Sequence, residues 1–146
     1  MTSFSEVGTT VLLVTLTLGL QCAGLGALIH WTRRAVDSGL SKPAPFRSAL
    51  LVMKLSTAVI VLHGALILLW AGCYRWLCFP SWESAMYFSA SSYATVGYGD
   101  AVLPVSWRML GPVESIIGVL MCGISVSLVF ALITRLVGRG PEPSSR

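Results

Sequence analysis

The sequence predicts an all-α integral membrane protein: three transmembrane helices, with a short re-entrant helix between the second and the third. Three observations predict it. Hydrophobic residues make up 55% of the 146-residue chain and charged residues only 11%, where a soluble domain carries about a quarter charged. Three apolar stretches each reach the roughly 20 residues that a bilayer crossing requires. The segment between the second and third is too long for a turn, yet much of it is apolar. A chain of this size leaves little room for a large enzyme once the spans are counted. It carries no catalytic triad, nucleotide-binding loop or metal cluster, and it is expected not to be an enzyme.

The first stretch runs from about Gly8 to Trp31 without an internal charge. The residues before it hold Glu6 and neither Lys nor Arg, so the charged region that opens a signal peptide is missing. From Thr32 to Arg47 the chain turns basic, with Arg33, Arg34, Lys42 and Arg47 against Asp37. Pro43 and Pro45 oppose helix continuation there. The second stretch, Ser48 to Tyr74, carries Lys54 and His63; the third, Ser106 to Leu136, carries Arg108 and Glu114 early. A polar tail, 139–146, is expected to be disordered. The densest basic run is the pair Arg33-Arg34, too little for nucleic-acid binding.

Charge asymmetry predicts orientation. The 32–47 segment and the C-terminal end hold Arg33, Arg34, Lys42, Arg47, Arg135, Arg139 and Arg146, seven of the ten basic residues. Both are expected on the cytoplasmic side. Two spans separate them, so the parity agrees. The N-terminus and the 73–105 segment then face outward.

Within 73–105, Pro80-Ser81 is a helix-start signal, with Ser81 as N-cap and Glu83 in the first turn. A helix from Trp82 to Tyr93 spans about 18 Å at 1.5 Å per residue, half a bilayer. The chain therefore enters partway and returns by a non-helical route. Such backbone is tolerated at membrane depth only inside protein or along a water-filled path. Gly97 and Gly99 permit angles that turn successive carbonyls of Thr95 to Gly99 toward one side. Val96 and Tyr98 then point away, and the Thr95 hydroxyl lies below the stack.

The run Thr95-Val96-Gly97-Tyr98-Gly99-Asp100 resembles the signature of pore-loop potassium channels. From about Ser48 to Gly138 the chain is similar to bacterial channels of the KcsA type, in the order outer helix, pore helix, filter, inner helix. The resemblance implies that oxygens of Thr95, Val96, Gly97 and Tyr98 bind K+, the permeant ion, with no other cofactor. It implies support from Gly99, Asp100, Tyr87 and Ser91, a homotetramer surrounded by membrane lipid, and residence in a bacterial inner membrane. It divides the chain into an N-terminal helix with its basic loop (1–47), a pore domain (48–138) and a tail (139–146). Negative pore-helix ends would stabilise a cation mid-membrane, and Asp100 would concentrate cations at the outer mouth.

Three positions depart from the commonest family pattern. Ala94 replaces a second threonine, Ser91 a buried glutamate found in some bacterial members, and Tyr87 a frequent tryptophan. In the family's wiring Tyr87 would hydrogen-bond Asp100, while a carboxyl pair behind the filter is impossible with Ser91. Gly123 aligns with the family's hinge glycine and reads either as a bend or as close helix packing; Gly118 reads as packing. Ser127, Ala131 and Thr134 are candidates for lining the cavity.

The remaining polar residues carry local expectations. His63 reads as a neutral histidine bonded to a neighbouring helix, against the functional default for ionisable groups in a membrane. Lys54 snorkels. Glu114 reads as a brace, paired with Arg108 or capping a neighbour's pore helix, with proton sensing as the alternative. Cys73 and Cys78 are expected on the outer side, as a disulfide or as two thiols; Cys22 and Cys122 read as small core residues. Arg33-Arg34 lack the ladder of a voltage sensor. The first helix lies outside a minimal two-helix pore, on its rim or against a partner. A poorly selective cation channel and a non-conducting accessory subunit are the competing readings.

Overall fold

A computed structural model describes residues 4–37 and 45–137. Among these residues, four α-helices carry the fold: α1 (Phe4–Asp37), α2 (Pro45–Leu77), α3 (Trp82–Tyr93) and α4 (Leu110–Val137). A single 3₁₀ turn, Val105–Trp107, precedes α4. Helices α1, α2 and α4 each contain a window long and apolar enough to cross a membrane.

α1 and α2 outrun their apolar stretches. α1 continues through Arg33 and Arg34 to Asp37, and α2 begins at Pro45 and ends at Leu77. Hydropathy marks the length that sits in lipid, whereas a helix continues until its backbone bonds fail. Pro45 opens α2 because a first-turn residue has no intrahelical acceptor for its missing N–H. Lys42, Pro43 and the 139–146 tail lie outside the described residues.

α3 starts where the sequence predicts. The Ser81 hydroxyl accepts from the Ser84 amide at 3.1 Å, an N-cap that satisfies one orphan donor. The preceding turn is closed by the Tyr74 carbonyl, which accepts from the Cys78 and Phe79 amides, both at 2.8 Å.

α3 packs against both α2 and α4, and α1 lies against the same two long helices. One buried cluster surrounds α3: Leu66, Trp70 and Tyr74 of α2, Ala85 and Tyr93 of α3, and Leu110, Ile117 and Met121 of α4, joined by Leu13 of α1. A second, smaller cluster, Leu51, Leu55, Leu132 and Leu136, ties the opposite ends of α2 and α4. In lipid such contacts gain dispersion and interhelical hydrogen bonds, not water release.

Small residues set the closest approaches. A Cβ at Gly118 would collide with the Tyr93 carbonyl oxygen, so α4 passes directly against the end of α3. A Cβ at Gly24 would meet the Leu62 side chain at 2.5 Å, which brings α1 onto α2. Gly123 has open space around it. Packing within the chain accounts for Gly118 and not for Gly123.

Cys22 and Cys122 are exposed, contrary to the expectation of small core residues. Apolar character does not imply an inward position when the solvent is lipid. Cys73 and Cys78 are half-buried free thiols.

Candidate functional site

Beyond Tyr93 the chain leaves the helix and runs as an irregular strip through Asp100. Its amides turn back onto α3: Ala94 N–H donates to the Ala90 carbonyl (3.1 Å), Thr95 to Ser92 (2.9 Å), and Val96 and Gly97 to Ser91 (2.8 and 3.2 Å). The carbonyls at the end of α3 thereby find donors, and Ser91 holds the strip through its backbone. Its hydroxyl donates to the Phe88 carbonyl one turn back, at 3.0 Å.

The φ angle is positive at Thr95 (60°), Gly97 (55°) and Gly99 (82°), with Val96 and Tyr98 between them outside that set. Alternation of left- and right-handed backbone sends successive amides to one side of a chain, and their carbonyls to the other. Glycine adopts positive φ freely; Thr95, β-branched, does so under strain of roughly 1–3 kcal/mol. Residues Ala94 to Asp100 are all exposed in the isolated chain. Tyr98, 72% exposed, lies stacked on Tyr87 with ring centroids 6.3 Å apart and planes 12° from parallel.

The outer end of the strip is tied to α3. Tyr87 donates its phenol proton to Asp100 Oδ2 at 2.9 Å, the contact implied by the family's wiring, and Asp100 Oδ1 accepts from the Ala101 amide at 3.0 Å. The bond to the carboxylate raises the Tyr87 phenol above its ordinary range, with a smaller push from burial.

Two polar clusters stand behind the strip. In the first, Glu114 is fully buried, and its oxygens meet Tyr74 Oη at 2.8 Å and Ser89 Oγ at 2.6 Å. Ser89 also reaches the Ile67 carbonyl at 2.9 Å. Glu114 thus braces the α3 of its own chain through hydroxyls, as the brace reading expected, with Tyr74 and Ser89 in place of Arg108. Arg108 precedes α4 and lies six residues away, outside the three- or four-residue spacing at which helix side chains meet.

In the second, His63 bridges two elements. Its Nδ1 is 2.7 Å from Tyr93 Oη and its Nε2 is 3.0 Å from Ser125 Oγ. The bonded-histidine reading therefore describes its surroundings. Gln21 of α1 adds a third member, donating to Ser125 Oγ at 2.9 Å and to the Met121 carbonyl at 3.3 Å. Ser115 closes the frame, donating to the Ser92 carbonyl at 2.7 Å.

Sequence reasoning missed Gln21, Tyr74, Ser89, Tyr93, Ser115 and Ser125. A weak signal existed. Gln21 is an uncharged polar residue inside an apolar span, and Ser89, Ser92 and Tyr93 recur at helical spacing along one buried side of α3. Ser127, Ala131 and Thr134 lie on an exposed face of α4, as does Gly123. The hydroxyls of Ser127 and Thr134 return to the carbonyls of Gly123 (2.9 Å) and Phe130 (2.7 Å), so they are satisfied within the helix.

Residues 54–135, more than half of the chain, match the profile of a family described as ion channel. No curated protein and no solved structure matches the chain.

Proposed function

The chain belongs to the ion channel family, and on that premise we propose that it is one subunit of a homotetrameric channel selective for potassium. K+ passes down its electrochemical gradient through a ring of carbonyl oxygens from Thr95, Val96, Gly97 and Tyr98. The chain is a multi-pass membrane protein. Its basic segments lie in the cytoplasm, and α3 enters from the outside as a re-entrant helix.

The observation that carries this reading is the strip itself. Its amides are bound to α3, its φ signs alternate, and nothing among the described residues covers it. Bare backbone of that kind is not stable against hydrocarbon. Four copies around an axis would enclose it, with the carbonyls replacing the hydration shell of the ion. One loop supplies one wall, so closure requires cyclic symmetry. The exposed Val96 and Tyr98 side chains need neighbours at the same depth, which a ring of copies provides.

Purified protein in liposomes tests the reading. A potassium gradient should drive flux that is lost when sodium replaces potassium. Equal sodium flux supports a poorly selective channel, and no flux at any pH or voltage supports an accessory subunit.

A further inference from the structure

α1 lies before the matched segment, and a two-helix pore does not need it. It nevertheless buries polar side chains against the pore helices: Thr17 accepts from Trp70 Nε1 of α2 at 3.0 Å, and Gln21 reaches α4. Gln21 is 2% exposed in a helix whose apolar stretch holds no charge, and it is bonded to α4 rather than to its own helix. From there the contacts continue without a gap: Gln21 to Ser125, Ser125 to His63, His63 to Tyr93. Tyr93 is the last residue of α3, two positions before Thr95. Four elements of the fold meet in this row, and it ends at the base of the strip.

Stability alone does not explain Gln21. Its Oε1 is buried with no hydrogen-bond partner among the described residues. An unpaired buried acceptor is destabilising, and an apolar side chain of equal length would avoid it. The amide orientation is set by the Met121 carbonyl, which requires a donor at that position. The His63 ring donates at one nitrogen and accepts at the other, so a neutral imidazole can keep both of its contacts. Gln21 holds Ser125 of α4 from the α1 side. The Tyr93 carbonyl rests on Gly118 of the same helix. Movement of α4 therefore acts on Tyr93 both directly and through His63.

We propose that α1 is a working part of the pore: Gln21, through Ser125 and His63, is a positioning residue that holds Tyr93 and the base of the filter in the conducting arrangement. The inference rests on the pore reading above. It assigns α1 a task beyond anchoring, because the tie fixes the relative places of α1, α4 and the end of α3 at one depth.

The test uses the full chain reconstituted in liposomes, comparing wild type with Gln21→Met, Tyr93→Phe and the double variant. Gln21→Met keeps the side-chain length and removes the tie, so the protein should assemble and melt at least as well as wild type. Hydrogen exchange of the 94–97 amides should accelerate about fivefold, the equilibrium factor of one buried hydrogen bond. Single-channel open probability should fall by a similar factor of about five. Tyr93→Phe should do the same, and the double variant should add nothing further, as members of one row do not act independently. Unchanged exchange at 94–97 in an assembled Gln21→Met protein overturns the inference, whatever the current does. Faster exchange with unaltered open probability in a conducting protein also overturns it. A wild type that carries no potassium current instead overturns the pore reading, and the exchange experiment still decides the tie.

Discussion

Replacing Glu114 separates the geometry of a buried carboxyl from its charge. Glu114 is fully buried; Tyr74 Oη donates to it at 2.8 Å, and Ser89 Oγ lies 2.6 Å from its other oxygen. In Glu114→Ala, Ser89 retains the Ile67 carbonyl at 2.9 Å, so Tyr74, itself fully buried, is the hydroxyl left stranded. A stranded buried hydroxyl costs about 1–3 kcal/mol. The void left by the missing carboxyl adds about 1 kcal/mol. The expected loss is thus about 2–4 kcal/mol per chain, concentrated where α2 and α4 grip α3. Glu114→Gln fits the same contacts: its carbonyl oxygen accepts from Tyr74, its amide donates to Ser89, and Ser89 donates to Ile67. That variant should stay within about 1 kcal/mol of wild type. The assay is thermal unfolding in detergent by tryptophan fluorescence, with size-exclusion chromatography reporting assembly. If Glu114→Gln proves as damaging as Glu114→Ala, the carboxyl is held for its charge and the hydrogen-bond argument fails.

Gly118→Ala forces a methyl group into the Tyr93 carbonyl oxygen; overpacking of about 1–3 kcal/mol should displace the end of α3 and suppress potassium flux. Gly123→Ala meets open space and should leave thermal stability unchanged, so altered single-channel gating there would report a bend. Gly97→Ala puts a side chain at φ 55°, a left-handed conformation costing roughly 1–2 kcal/mol, and liposome flux should be lost. Tyr87→Phe removes the bond to Asp100. Because that bond raises the phenol's pKa, the contact holds at and below the ordinary tyrosine range and breaks as pH rises through the raised value. An alkaline absorbance titration of wild type should therefore contain a late-ionising tyrosine that Tyr87→Phe lacks. Burial, with the nearby Cys73 thiol adding to it, pushes Cys78 up to about 11; maleimide labelling of Cys78 should be slow at neutral pH and accelerate toward that value.

The parts of the fold written in local chemistry were legible in the sequence. Hydropathy located the three long helices, and Pro80-Ser81 located α3 because an N-cap depends on a few adjacent residues. Helix ends were less legible: α1 runs on through Arg33 and Arg34, charged residues that favour helix while leaving the lipid. The strip was readable because Gly97 and Gly99 announce positive φ, yet the same turn at Thr95 was not, since no composition rule places a β-branched residue there. The supports behind the strip were the least legible. Glu114 joins residues 25 and 40 positions away, and Gln21 joins one 104 positions away. Such contacts depend on helix rotation, which one sequence does not encode locally. The exposed Cys22 and Cys122 follow from the same gap.

The central claim, potassium selectivity at Thr95 to Tyr98, is tested most directly by the reversal potential of the reconstituted protein in a planar bilayer, with potassium on one side and sodium on the other at equal concentration. The account predicts current carried by potassium and a reversal potential displaced far toward the potassium equilibrium value. A reversal potential at zero would show that the pore does not distinguish the two ions, and would contradict it.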